Sequence, residues 1–382
     1  MAIGDVTGPE GRVFQDPDTG ATIHQLTDHR AHSNHLYFTN MERWDGGRRL
    51  LIGSHRHNAP DFYSVELATG TLTQLTDFAS DESPGLLTAF VSPVRDEAYF
   101  TFSGQVRALD LRTGQQRVLF EAPDGYRSGN LSCTADGNTV CHVCQQQYTG
   151  PARMDLGHGY VGFAEYSAWR PHCRIVAIPV DGGAARTVHD EKFWLGHINT
   201  SPALPDMLTF CHEGPWETID QRMWALNIRS GQVYPLRAQV AGESIGHEYW
   251  FADGHRVGYH GRNADGVHVF GFVHWDNTGK QEFPFPFGSM HFHSLDETLI
   301  VGDGTARERS LLLWKLDGDR YLGPRRLLRH RGSWHTQLVH VHPRMFGDGD
   351  RLRICYTADP QGYGNVYIAD VPDFESLPEV EA

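Results

Sequence analysis

The chain has 382 residues, of which 40% are hydrophobic and 11% aromatic, enough for a packed core. It carries 33 Lys and Arg against 47 Asp and Glu, and the resulting formal charge of -14 opposes binding to nucleic acid and anionic membranes. No run of about 18 apolar residues is present to span a bilayer. The composition therefore predicts a soluble globular protein with no nucleic-acid or membrane partner.

The N-terminal stretch MAIGDVTGPEGRVFQDPDTG is polar and lacks the basic and then apolar regions of a secretory signal. The six cysteines are scattered along the chain, unlike the dense pattern of a small disulfide-bonded domain. Both features favour a cytoplasmic location with reduced thiols.

Taken in chain order, the strand-like segments form one pattern that recurs seven times, each copy with apolar strands separated by polar, Gly-containing turns. The copies begin at DGGRRLLIGS, RDEAYFTFSG, DGNTVCHVC, LPDMLTFCHEG, DGHRVGYHG, DETLIVGDG and GDRLRICYTAD. Four short strands per unit, without a long amphipathic helix, are typical of a β-propeller. We therefore predict an all-β, seven-bladed β-propeller.

The two ends of the pattern predict how the ring closes. Residues 20–28, GATIHQLTD, resemble the outer strand GTLTQLTD of the first repeat, whereas the seventh repeat ends after VYIADV. The N-terminal strand is therefore predicted to complete the last blade, which removes an exposed sheet edge. We predict a single propeller domain over residues 1–382, in which the long connection 145–172 forms a wall or lid of the binding cleft.

Histidine is unusually common in the chain, with 23 residues. The innermost strand of each propeller blade lines the central channel, and six histidines of the fourth to seventh repeats occupy this position: His197, His247, His291, His293, His340 and His342. Imidazole is the commonest metal ligand in proteins, and H-x-H spacing puts both rings on one face of a strand. Gln337, three residues before His340, needs a bulge or bend to join them. This pattern predicts a metal site on the propeller axis.

Two other interpretations remain open at this point. Single histidines on propeller strands are often structural, which suits a non-catalytic propeller that acts as a binding or scaffold module. The stretch GESIG matches the nucleophile motif of α/β hydrolases, but Ser244 has no strand-to-helix turn around it. A hydrolase is therefore the least favoured alternative.

Several stretches resemble the oligogalacturonate lyases, seven-bladed propellers that cleave short pectin oligomers in the cytoplasm: FWLGHINTSP, FCHEGPWETIDQRMWALN, GESIGHEYWFADG, LIVGDG and QLVHVHP. The resemblance covers essentially the whole chain and implies a site for Mn2+. The implied ligands are Gln337, His340 and His342 of a Q-x-x-H-x-H run and a histidine before the VGDG turn. For the last we predict His291 rather than His293, because its position parallels that of His340. Other divalent transition metals also suit these ligands.

The resemblance further implies metal-assisted β-elimination of α-1,4-linked digalacturonate and short pectin oligomers, including unsaturated ones. His247 matches the general base that takes the C5 proton, and Arg222 matches the arginine that binds a substrate carboxylate. His197 and His212 are further candidates for substrate binding. The product would be a 4,5-unsaturated monouronate, and the sequence does not identify the acid that protonates the leaving oxygen.

Overall fold

The computed structural model describes residues 2–156, 160–285 and 287–380. Within these ranges the strands form seven antiparallel sheets, so the predicted all-β, seven-bladed propeller is confirmed. The α-helix α1 covers Phe163–Trp169, and short 3₁₀ helices cover Arg56–Asn58, Trp216–Thr218, Gln337–Val339 and Phe374–Ser376. None of the helices in the described ranges has the length and apolar character to cross a membrane.

Blades are numbered in chain order, and their strands are given from the channel outward. Blade one contains Ser33–Asn34, Arg49–Ser54, Asp61–Glu66 and Leu72–Gln74, with the short strand Arg43–Trp44 beside the second and Val6–Thr7 at the outer edge. Blade two contains Phe90–Val91, Glu97–Phe102, Gln105–Asp110 and Gln116–Glu121. Blade three contains Tyr126–Cys133, Thr139–Gln146, His172–Pro179 and Arg186–Lys192.

The remaining blades follow the same order. Blade four contains Leu195–Thr200, Met207–His212, Met223–Asn227 and Val233–Pro235. Blade five contains Ser244–Trp250, Arg256–Arg262, His268–His274 and Gln281–Pro284. Blade six contains Phe292–Ser294, Leu299–Gly302, Leu311–Asp317 and Arg320–Leu328. Blade seven contains Arg344–Asp348, Arg351–Ala358, Asn365–Asp370, Thr22–Gln25 and Arg12–Gln15.

Hydrophobic packing between neighbouring blades explains why the middle strands are apolar on both faces. In blade six, the four residues from Leu311 to Trp314 are completely buried, because each face of this sheet packs against an adjacent blade. The innermost strands of successive blades contact one another around the axis, as between Leu195–Thr200 and Ser244–Trp250. Side chains on these inner strands therefore converge on the central channel.

The N-terminal segment closes the ring as predicted. Ile23 pairs with Ala369 and Gln25 with Tyr367, so the hairpin of Arg12–Gln15 and Thr22–Gln25 completes blade seven. Ile23 is buried in the same core cluster as Ala369. A second contact was not predicted: Val6–Thr7 pairs with the outer strand of blade one. The same segment thus joins the first blade to the last.

The long connection after the second strand of blade three packs on the neighbouring blade. Its helix α1 buries Tyr166, whose ring lies 4.9 Å from that of Trp194, between centroids. Its role as a wall or lid of the cleft stays a prediction. All six cysteines are buried and free.

Candidate metal centre and active site

Three histidine side chains meet where blades six and seven approach the channel. His291, His340 and His342 each offer a ring nitrogen, and these atoms all lie within 4.8 Å of one another. All three residues are buried, and the ring centroids of His291 and His342 are 4.5 Å apart. The fold therefore brings together three of the four predicted metal ligands.

The predicted explanation for this convergence, two histidines on one face of a strand, was wrong. Gln337–Val339 forms a 3₁₀ helix, and His340 and His342 follow it before the inner strand of blade seven begins at Arg344. His342 has a φ of 45°, in the left-handed region that residues other than Gly rarely adopt. The rings converge because the chain bends at this point.

His291 and His293 have different surroundings in the structure. His293 lies in the strand Phe292–Ser294, where its Nδ1 accepts a hydrogen bond from the Met345 amide at 3.1 Å and its ring stacks on Tyr249. His291 precedes this strand and joins His340 in the cluster. The contacts of the two side chains thus distinguish them, and they favour His291 as a ligand.

Asp303 fixes the orientation of His291. The Nδ1 atom of His291 donates to Asp303 Oδ2 at 2.7 Å, and Oδ1 accepts from the His291 amide at 2.8 Å and from Ser289 Oγ at 2.9 Å. Burial alone would raise the pKa of the Asp303 carboxyl, but His291 and these hydrogen bonds hold it below its ordinary value. Nε2 of His291 is thereby left to act as a ligand, as in carboxylate–histidine–metal arrangements. The sequence reasoning missed this aspartate, although it lies in the VGDG stretch.

Two ring nitrogens in this cluster are free to bind a metal ion. His340 Nδ1 and His342 Nε2 are buried without a hydrogen-bond partner among the described residues, which is costly for a polar atom. Burial lowers the pKa of His340 to about 4, and burial and the neighbouring His291 lower that of His342 well below its ordinary value. Both rings are thus neutral near pH 7, as metal coordination requires. A donor set of imidazole nitrogens suits a divalent transition metal.

Gln337, the fourth predicted ligand, contacts the long connection of blade three. Its Nε2 donates to Tyr160 Oη at 2.8 Å. The 3₁₀ helix that begins at Gln337 supplies the bend that the sequence required. Because the amide nitrogen is engaged, Oε1 is the atom of this side chain available to a metal.

His247, the predicted base, lies beside the three histidines. Its ring centroid is 5.1 Å from that of His291, and its Nδ1 is 3.2 Å from His260 Nε2. Pairing with the second strand shifts register between Gly246 and Tyr249, and His247 itself has a φ of 52°. Such a β-bulge turns a side chain in a direction that a regular strand does not permit.

The inner strand of blade four contains a similar β-bulge. There the register shifts between Gly196 and Asn199, and His197 has a φ of 47°. The rings of His197 and His247 stack with centroids 5.8 Å apart. Positive φ at a residue other than Gly costs about 1–3 kcal/mol and occurs mostly at functional sites. Three histidines of this site, His197, His247 and His342, have this conformation.

Burial also determines the protonation of His247 and His260. Burial, and then the neighbouring His291, lowers the pKa of His247 well below its ordinary value, and burial lowers that of His260 to about 3. Both rings are therefore neutral near pH 7, so one donates to the other. His260 lies opposite Gly246 on the adjacent strand, and no motif in the sequence singled it out.

Arg222 belongs to a second buried cluster, which includes His197, the residue whose ring stacks on that of His247. Its guanidinium donates to both carboxylate oxygens of Glu213, at 3.0 and 3.4 Å, and its Cζ lies 4.8 Å from the centre of the Trp216 ring. His197 Nε2 is 3.3 Å from the same carboxylate. Burial alone would raise the pKa of Glu213, but Arg222 and His197 hold it far below its ordinary value. The sequence identified Arg222 and His197 separately, but not that Glu213 joins them.

Glu248, the residue after the predicted base, is also buried. Neither carboxyl oxygen has a hydrogen-bond partner within the described part of the chain, and burial raises the pKa of this group. Two carboxyls near Arg222, Glu213 and Glu248, therefore have pKa values shifted in opposite directions.

His212 is not brought to either cluster by the contacts it makes. Its Nε2 is 2.7 Å from Glu191 Oε1, and its ring stacks on Phe193 with centroids 3.9 Å apart. The preceding residue, Cys211, faces Glu213, and successive strand residues point to opposite faces. The ring of His212 packs on the blade face turned away from Glu213, and its role in binding substrate stays a prediction.

Comparison with known proteins extends over the entire propeller. The family model described as oligogalacturonate lyase matches residues 1–375. An oligogalacturonide lyase from Pectobacterium atrosepticum is 26% identical and an oligogalacturonate lyase from Dickeya dadantii 28% identical, each alignment covering 98% of this chain and 99% of the relative. A solved structure of an oligogalacturonate lyase in complex with manganese superimposes with a TM-score of 0.87 at 24% identity, covering 98% of this chain and 99% of that one. The propeller of that structure and the one described here are the same fold.

Proposed function

The chain belongs to the oligogalacturonate lyase family, and from this premise we propose that it cleaves α-1,4-linked digalacturonate and short pectin oligomers by metal-assisted β-elimination. Members of this family are carbon–oxygen lyases that act on pectin oligomers. The observation that carries the proposal is the convergence of His291, His340 and His342 beside His247. We propose that these three histidines and Gln337 hold Mn2+, the metal named for the related structure.

His247 is the proposed general base. When its Nδ1–H donates to His260, Nε2 keeps the lone pair that accepts the C5 proton of the uronate. This proton is α to a carboxylate and only weakly acidic. When bound, a divalent metal supplies a Lewis acid that stabilises the negative charge developing on that carboxylate.

Arg222 is the proposed carboxylate-binding residue. A guanidinium has five N–H donors, of which Glu213 occupies two, so the others can donate to a uronate carboxylate. His197 Nδ1 is buried without a partner in the described residues, and we assign it to the same substrate. Local donors of this kind offset the repulsion of an acidic substrate by a protein with a formal charge of -14.

Gly246 provides the space that Arg222 occupies, which leads to a prediction. A Cβ atom at this position would lie 2.4 Å from Arg222 Nε and 2.9 Å from Trp216 Cη2. We expect Gly246→Ala to displace the guanidinium from Glu213 and to lower kcat/KM for digalacturonate about 100-fold, because misplacement by about 1 Å has effects of this size. Steady-state kinetics would measure the loss.

Gly347→Ala is the matched control, since an added Cβ there meets no atom within 4 Å and the residue also lies in an inner strand. This variant is expected to retain wild-type kinetics. If Gly246→Ala retained them as well, the position of Arg222 beside Glu213 would be irrelevant to the reaction.

The experiment that tests the function follows the ultraviolet absorbance of the conjugated 4,5-unsaturated uronate during incubation with digalacturonate. Protein loaded with Mn2+ is compared with protein stripped by a chelator and with stripped protein to which Mn2+ is restored. We expect absorbance to rise only in the first and third samples. A rise in none of them, with Mn2+ still bound, would favour the non-catalytic binding propeller.

We also propose a cytoplasmic location. The six buried, free cysteines are consistent with a reducing compartment. Fractionation of cells that produce the protein would test this directly.

A further inference from the structure

We propose that Tyr160 is the acid that protonates the oxygen leaving C4, an inference that rests on the β-elimination proposed above. In that reaction the base takes the C5 proton, and the electron pair of the C5–H bond becomes the second bond between C4 and C5. The C4–O4 bond breaks and its pair goes to O4, which needs a proton to leave as an alcohol. The phenol of Tyr160 donates that proton and is then reprotonated by water. The base releases the C5 proton to water.

The hydrogen bond of Tyr160 leaves its proton available. A primary amide nitrogen only donates, so Gln337 Nε2 is the donor and Tyr160 Oη the acceptor in their 2.8 Å contact. The phenolic O–H of Tyr160 therefore has to find a different acceptor. Because Gln337 is also a proposed metal ligand, this contact fixes the phenol at the edge of the metal cluster.

Tyr160 lies near both the proposed metal ligands and the cluster of Arg222 and Glu213. Its phenol is close enough to Tyr37 and to Glu213 for electrostatic interaction with both. The ring of Tyr37 in turn lies 4.7 Å from that of His342 and 6.0 Å from that of His197, between centroids. A substrate bound between the metal ligands and the Arg222 cluster would thus pass next to the Tyr160 hydroxyl.

The stereochemistry of galacturonate requires the acid and the base to approach from different sides. In the chair form of this sugar, O4 and the C5 hydrogen are both axial and point to opposite faces of the ring. His247 projects from the inner strand of blade five, whereas Tyr160 belongs to the connection of blade three and is 52% exposed. A sugar ring held between them would present the C5 hydrogen to one residue and O4 to the other.

Tyr249 does not meet these requirements. It is only 1% exposed, and its Oη is 2.8 Å from Ser294 Oγ. It also lies two residues after His247 on the same inner strand, whereas the acid and the base have to approach from different sides.

The test compares two substrates that differ in the need for an acid. Digalacturonate loses a sugar alcohol, whereas a methyl galacturonoside carrying a 4-O-(2,4-dinitrophenyl) ether loses a phenolate that departs without a proton. We expect Tyr160→Phe to lower kcat for digalacturonate about 100-fold or more, as removal of a general acid does, and kcat for the aryl ether less than about threefold. Tyr148→Phe, in the same connection, is the matched control and is expected to change neither.

A titration of each variant with Mn2+ separates catalysis from support of Gln337. We expect the Mn2+ affinity of Tyr160→Phe to stay within about twofold of wild type, because Tyr160 contacts Gln337 through Nε2, whereas Oε1 is the atom proposed to hold the metal. Equal losses on both substrates, or weakened Mn2+ binding, would overturn the proposal and make Tyr160 a support for Gln337. If Tyr160→Phe kept full activity on digalacturonate, the proton would come from solvent. If Tyr37→Phe lost activity on digalacturonate but not on the aryl ether, Tyr37 would be the acid. If the wild-type protein were inactive on digalacturonate, the proposed function itself would be wrong.

Discussion

Replacing His340 with alanine is expected to abolish tight binding of Mn2+ and to lower kcat/KM for digalacturonate about a thousandfold. Loss of Lewis-acid stabilisation costs several kcal/mol in the transition state, and about 4 kcal/mol corresponds to that factor. Two of the neighbouring imidazoles, His291 and His342, would remain, but fewer ligands hold a divalent ion less tightly. Calorimetric titration with Mn2+ and steady-state kinetics measure the two effects.

The exposed His335 provides a control from the same segment of chain. His335→Ala is expected to bind Mn2+ and turn over digalacturonate as the wild type does. Tight Mn2+ binding by His340→Ala would contradict the proposed ligand set and point to a different site for the metal. Comparable thermal unfolding of both variants would show that the loss is local.

The His247→Ala variant is expected to separate chemistry from metal binding. Removal of a general base costs a factor of about 100 to 10,000, so we expect kcat to fall into that range while the affinity for Mn2+ stays within about twofold. His247 is not in the group of three nitrogens that would hold the ion, although its ring lies 5.1 Å from that of His291. Progress curves at saturating digalacturonate, with Mn2+ present throughout, give the loss in kcat.

His255→Ala in the same blade is the matched control, since this residue is exposed and lies in a turn. Added imidazole is expected to restore part of the activity of His247→Ala, because a diffusible base can enter the space left by the ring. A variant that kept half of the wild-type kcat would show that His247 is not the base. Loss of Mn2+ from the variant would instead indicate that His247 is a ligand.

The repeating part of this architecture could be predicted from sequence because its signals are local. Turn residues and apolar strands mark each blade, and the similarity of residues 20–28 to 70–77 was sufficient to predict the closure of the ring. His197, His247 and His293 could be located on inner strands for the same reason. Their place near the axis follows from the geometry of any propeller, whereas His340 and His342 converge through a bend that precedes the inner strand of blade seven.

The parts that could not be predicted depend on contacts between blades or on unusual backbone. Strand alternation failed at His342 because a residue other than Gly carries no signal for a positive φ. Glu213 joins His197 to Arg222 across two strands of one blade, and Tyr160 reaches Gln337 across 177 positions. His212 follows Cys211 in sequence, and strand alternation turns its side chain to the opposite face of the strand.

The hairpin that completes blade seven has a consequence for folding of the protein. Thr27 Oγ1, just after this hairpin, donates to Asn365 Oδ1 across 338 positions, so closure of the ring brings together residues that are far apart in sequence. Such non-local pairing is slow, because the entropy of closing a long loop is lost before the contacts form. We therefore expect the ring to close late in folding, after the individual blades have formed, and the hairpin to stay unpaired until then.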